Sequence, residues 1–173
     1  MTKPFDNLRF GGGFYIERRS PGGVLLGKRS FVPNRVMNAA MNAILEAFRG
    51  TAFPSAWYCG LISSTSFSAI AAADTMASHA GWTELTGISN ATRPLIFDST
   101  SPASASQQIT NSAAAVFTAN AVGTVKGIFI ASNNTIGGTT GTLWAASQLT
   151  ADQQFSSGET VSITYVLQAS SGA

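Results

Sequence analysis

Hydrophobic positions along the chain fall into two regimes that meet at Gly50. Ahead of it, Val36, Met37, Ala40, Met41, Ile44, Leu45 and Phe48 recur at three- and four-residue steps. That spacing predicts an amphipathic helix with one apolar face laid across a sheet. Pro33 precedes it, Asn34 stands where an N-cap is expected and Gly50 where a left-handed C′ residue is expected, so the helix is placed at residues 34–49, from about Arg35 to Arg49. The other face carries Arg35, Asn38, Asn42, Glu46 and Arg49. A methionine-bearing stripe of this kind reads as core rather than as a ligand groove.

Beyond Gly50 the pattern shortens to that of strands and does not revert. Candidates are 56–62, 82–86, 93–98, 114–119, 124–131, 141–148 and 159–168, separated by small polar residues and by turn clusters such as Asn133-Asn134-Thr135-Ile136-Gly137-Gly138 and Ser156-Ser157-Gly158. Short strands at this spacing, with no helical pattern between them, predict a mainly β protein: an antiparallel, jelly-roll-like β-sandwich over residues 34–173 that includes the one helix. Upstream, 13–17 and 24–28 flank Ser20-Pro21-Gly22-Gly23, a turn signal in which Pro presets the first position and Gly supplies positive φ. Residues 1–33 are therefore expected to be an extended arm with one hairpin, and removing residues 1–30 is expected to leave the sandwich folded. The triple glycine at 11–13 reads as a hinge, since no Gly-Lys-Ser/Thr follows and no helix opens there.

Composition sharpens this picture. The 173 residues are 45% hydrophobic but only 10% charged, against about 25% charged in ordinary soluble domains. One well-buried domain is the natural outcome for this length. Its sparse charge suits a surface partly covered by neighbours. The charges are also segregated: Lys3, Arg9, Arg18, Arg19, Lys28, Arg29, Arg35 and Arg49 face only Asp6, Glu17 and Glu46 in the first 50 residues, while Arg93 and Lys126 face five acids thereafter. Without interleaved stacking aromatics this asymmetry argues against a nucleic-acid groove. It is read instead as an interaction surface, with Arg9, Arg18, Arg19, Lys28 and Arg29 docking on an acidic neighbour. The first 35 residues contain no apolar signal-peptide core, and the uncharged span 99–125 is too rich in Ser, Thr, Asn and Gln to cross a membrane. Cys59, lone and set in an apolar strand, reads as a small buried hydrophobe in a chain made in a reducing cytoplasm.

Candidate chemistry concentrates in one place. The stretch from Trp57 to Glu84 holds the single Cys and the single His, two of the three Trp, and Asp74, His79, Trp82 and Glu84 within eleven positions. An imidazole and two carboxylates are sufficient ligands for a metal or for general-base work. Their spacing, Asp-x4-His-x4-Glu, matches no helical ligand face, and a single histidine cannot build a two-histidine site. Ser78 adjoins His79, but sequence neighbours rarely face each other as nucleophile and base, and no Gly-x-Ser-x-Gly elbow is present. The loop is thus expected to be structural, with Asp74 and Thr75 capping a turn while His79 and Trp82 pack locally. No catalytic residue, metal or other cofactor is expected.

The order of these features resembles a family of small tailed-bacteriophage virion structural proteins, capsid-decoration-like or tail-associated. The resemblance covers residues 30–168. It rests on the Asn-bearing helix ending near Phe48, the Trp57-Tyr58-Cys59-Gly60-Leu61-Ile62 strand and, as its most specific part, Asp74-Thr75-Met76-Ala77-Ser78-His79-Ala80-Gly81-Trp82-Thr83-Glu84. Arg93-Pro94, Thr124–Ile130, Gly141-Thr142-Leu143-Trp144 and Ser157–Tyr165 follow in order. The resemblance implies a non-enzymatic virion component. Within the virion a capsid decoration (cement) protein is expected, binding the major capsid protein and its own copies. A tail fibre, adaptor or baseplate subunit is the alternative, and a carbohydrate-binding module, using Trp82 and Trp144 as exposed platforms, is a third reading.

Overall fold

The computed structural model describes residues 8–101 and 106–171, so the charges Lys3 and Asp6 lie outside the described residues. Ten strands and one helix follow in the order β1 (Leu8–Arg19), β2 (Ser30–Pro33), β3 (Arg35–Val36), α1 (Asn38–Phe48), β4 (Trp57–Ser63), β5 (Leu95–Phe97), β6 (Gln108–Thr110), β7 (Ala115–Thr118), β8 (Gly123–Ala131), β9 (Leu143–Phe155) and β10 (Thr160–Ser171). All pairings are antiparallel. One sheet has the order β2-β1-β10-β6, with β7 also on β10; the other has the order β3-β9-β8-β4-β5. The protein is a β-sandwich.

From Leu8 on, the expected arm is part of a sheet. Over its whole length β1 pairs with β10, from Leu8 opposite Ser171 to Arg19 opposite Thr160, and Gly13–Ile16 pair with β2 on the other side. It is an interior strand whose alternate residues Phe14 and Ile16 enter the core. The hydrophobic alternation there is short, because three consecutive glycines hide it, and this is why the segment reads as a hinge. The Ser20–Gly23 turn is present, closed by Gly23 N–H to Ser20 O at 2.8 Å. Its return limb makes only an isolated bridge, Arg19 with Leu25, before the chain reaches β2.

The main core lies between the sheets, with Phe14, Val32, Phe117, Ile163 and Tyr165 facing Trp57, Cys59, Leu61, Ile128, Ile130 and Trp144. A second cluster covers the outer face of the other sheet. There Met76 and Trp82, from the long excursion between β4 and β5, join Met37 on Ile62, Phe129, Ala131, Leu143 and Ala146. With both faces covered, β4 and β8 carry near-continuous apolar runs instead of an alternating pattern. Gly60 sits opposite Phe129 in the β4–β8 ladder. A Cβ at Gly60 would overlap the Phe129 ring, so the glycine makes room for it. At the edge of β10 the ladder is interrupted between β6 and β7, and the Asn111 side chain fills the gap: its Oδ1 accepts from Tyr165 N–H (2.7 Å) and its Nδ2 donates to Ile163 O (3.3 Å).

The helix is shorter than its periodicity predicts and starts later. Arg35 and Val36 pair with Ala146 and Ala145 of β9, so their backbone groups join the sheet and Met37 becomes the N-cap without a side-chain cap bond. Gly50 does occupy the left-handed region beyond the last turn, at φ 88°. The expected strand 82–86 is a loop tied down by a bridge between Ile62 and Glu84. Conversely β6, β2 and β3 are too short or too polar to announce themselves.

Candidate functional site

The Asp74–Glu84 block closes on itself. Asp74 Oδ2 accepts from Ala71 N–H and from Trp82 Nε1–H, both at 2.9 Å, while the Thr75 hydroxyl accepts from Ser78 N–H at 3.0 Å. His79 stacks on Trp82 with ring centroids 3.9 Å apart. Its Nδ1 lies 2.9 Å from Trp82 O, and because a carbonyl only accepts, Nδ1 carries the proton. Trp82, 1% exposed, rests in turn on Phe129. These bonds fasten the excursion onto the sheet.

Glu84 leaves that cluster and pairs with Arg93. The guanidinium meets the carboxylate as a fork, Nε to Oε1 and Nη2 to Oε2, both 2.8 Å. The Arg93 side chain is 1% exposed and that of Glu84 7%. Further donors go from Arg93 to Asn133 O (2.8 Å) and Gly138 O (3.1 Å), and Gly137 N–H donates to Glu84 Oε2 (2.6 Å). One buried ion pair thereby joins the β4–β5 excursion to the β8–β9 connection, and bidentate geometry with satisfied neighbours is what makes such burial tolerable. Asp74, His79 and Glu84 do not converge, and the described residues hold no cluster of three or more His, Cys, Asp or Glu side chains suited to a metal. Cys59 is fully buried, and desolvation, reinforced by Glu84, pushes its thiol far above the ordinary range. Its sulfur is held as an inert thiol.

The basic residues singled out in the first 33 positions do not form one patch. Arg18 pairs with Glu159 (3.1 Å), and Arg19 and Arg29 both pair with Glu17 (3.2 and 3.5 Å). Arg29 also lies over the Tyr15 ring at 4.3 Å. Arg9 stands ten positions away along β1, roughly 30 Å in an extended strand. It is exposed, as is Lys28. The acids of the chain itself therefore take up most of this charge, a pairing that strand register creates and that sequence distance hides.

Two features escape the sequence reading. A cavity of about 450 Å³ opens at one end of the sandwich, walled by Phe53, Trp57, Phe97, Trp144 and Tyr165, with Asp98 on its lining. On its wall the Tyr165 hydroxyl accepts from Trp144 Nε1–H (3.0 Å) and Asn34 Nδ2–H (3.2 Å), so the polar tips of the aromatics are spent on one another. Beside it, α1 overhangs the sheet. Only Ala40 of the helix is buried, and Met41, Leu45 and Phe48, expected in the core, are exposed, Phe48 by 84%. Phe53 borders both features, lining the cavity and a shallow groove with Ile44, Ala47 and Phe48. The signal was the apolar arc itself: Val36 joins β3 and Met37 is the N-cap, and of the helix's own Ala40, Met41, Ile44, Leu45 and Phe48 the small Ala40 is the buried one.

The two tryptophans considered as sugar platforms are both buried, Trp82 at 1% and Trp144 at 5% exposure. Trp82 presents no open indole face, and Trp144 is a wall of the aromatic cavity. Comparison of the chain with known protein families and with curated proteins finds no match.

Proposed function

We propose that this chain is a non-enzymatic structural subunit of a tailed-bacteriophage virion, and within it a capsid decoration protein that binds the major capsid protein and its own copies. The observation that carries the reading is the apolar ledge made by Met41, Leu45 and Phe48 on a protein with only 10% charged residues. Large apolar side chains grouped on a helix face of a sparsely charged domain mark a surface that a neighbour covers. The loop that gathers Asp, His and Glu is occupied with internal bonds, which favours a role as scaffold over one in chemistry. A decoration protein gains its effect by repetition: many modest contacts across the seams of a shell act together as avidity. Because β1 is an interior strand from Leu8 on, the binding surface belongs to the sandwich and its helix.

The direct test is binding of the purified chain to emptied, expanded shells that lack it, followed by sedimentation. Saturable binding at a fixed ratio to the major capsid protein is expected. Binding to isolated tails with none to shells would replace the decoration reading by a tail-subunit one.

A further inference from the structure

Phe48 projects from the last turn of α1, 84% exposed, and Arg49 follows it with its side chain 76% exposed. Close by, across Phe53, lies the aromatic cavity of about 450 Å³, whose lining includes the Asp98 carboxylate. The chain's own Phe48 does not enter it; Phe48 lies on the shallow groove with Ile44, Ala47 and Phe53. One face thus carries an aromatic knob with a cation beside it and an aromatic hole with an anion beside it.

We propose that these two halves complement each other between copies of this chain: Phe48 of one copy enters the cavity walled by Trp57, Phe97 and Trp144 of the next, and Arg49 pairs there with Asp98. The proposal rests on the reading of a subunit that contacts its own copies and names the surface it uses. Charge complementarity selects a second copy as the occupant. Among the described residues no cation pairs with Asp98, and its recorded partners, Thr100 N–H (2.8 Å), Thr100 Oγ1–H (2.7 Å) and Ser101 Oγ, all use Oδ1. Those bonds, the Thr100 hydroxyl foremost, hold the Asp98 carboxyl below the ordinary range, so it is charged at neutral pH. Among the described residues the Arg49 side chain bonds only to Glu46, through one terminal nitrogen, which leaves its guanidinium able to fork onto a second carboxylate. Size agrees as well, since a benzyl group fits a cavity of this volume and offers ring edges to the indole faces. Each copy carries both halves, so the contact repeats from copy to copy without a further partner, as a closed oligomer where the rotation returns on itself and as a filament where it does not.

Sedimentation equilibrium of the purified full-length chain across a concentration series tests this. The wild type is expected to self-associate, and Phe48→Ala to weaken association at least about thirtyfold, as truncation of a buried aromatic anchor does. Arg49→Glu and Asp98→Asn should each weaken it, the latter while keeping an acceptor for Thr100, and the double reversal Arg49→Glu with Asp98→Arg should recover association relative to Arg49→Glu alone. Near-ultraviolet circular dichroism of each variant confirms that the fold is kept. A monomeric wild type, an oligomer indifferent to Phe48→Ala, or a double reversal no better than the single one would overturn the proposal. A chain that stays monomeric yet binds shells would sink this contact and leave the decoration reading standing; one that self-associates as described but binds no shell would do the reverse.

Discussion

Arg93 and Glu84, nine residues apart in sequence, meet as a two-pronged ion pair with both contacts at 2.8 Å, and the pair is almost completely shielded from water. It holds the excursion and the β8–β9 connection in one register. Arg93→Met is expected to destabilise the protein by about 3–5 kcal/mol, because it strands a buried carboxylate. Arg93→Met combined with Glu84→Gln should cost less than the two single changes added together. Urea denaturation of the four species measures the coupling.

The interior position of β1 makes a second expectation. Phe14 is fully buried and stacks on Tyr165 at 4.8 Å, so Phe14→Ala should cost about 3–5 kcal/mol. Deleting residues 1–30 removes the strand between β2 and β10 and should abolish the cooperative thermal transition. A truncated chain that melted like the intact one would show that the strand is dispensable.

How much of this was legible in the sequence depends on the kind of signal. Strands β4, β8, β10 and the first half of β9 are apolar enough to stand out, whereas β9 runs on to Phe155 through a polar stretch outside the expected 141–148; Gly50 marks the helix end because only a residue tolerant of positive φ fits there. Of β1 only 13–17 was expected, as a hairpin limb; its extent and its pairing with β10 were hidden by Gly11, Gly12 and Gly13, which carry no side chain to show an alternating pattern. Of the Asp74–Glu84 block, the local bonds among Asp74, Thr75, Ser78, His79 and Trp82 follow from short sequence separation. The Glu84 partner was not foreseen: Arg93 lies in the same excursion, and its pairing with Glu84 depends on how that segment folds back against Asn133 and Gly138 of the β8–β9 connection. The aromatic cavity was equally unreadable: Trp57, Trp144 and Tyr165 each look like core residues, and only the sandwich brings them to one open end.

His79 acts through packing. His79→Ala loses the stack on Trp82 and one hydrogen bond to its carbonyl, so a loss of about 1–2 kcal/mol is expected. Trp82 fluorescence should shift with it, and elemental analysis of wild type and variant should give the same metal content.

Acid should weaken the fold through Glu159. Ser156 N–H and then Arg18 hold its carboxyl below the ordinary glutamate range. A carboxylate with a lowered folded pKa contributes stability that is complete above its unfolded pKa and is lost as pH falls through the folded one. Stability is therefore expected to decline below about pH 4. Glu159→Gln should be less stable than wild type at neutral pH, with a shallower acid limb in melts run as a pH series.

The central claim, that this sandwich is a repeated subunit of a virion shell, is tested most directly by cryo-electron microscopy of intact phage particles proposed to contain it. The account predicts density matching the two sheets at icosahedral positions on the outside of the capsid, with the α1 ledge covered by a neighbour. Capsids that lack such density, whether or not the tail carries it, would contradict it.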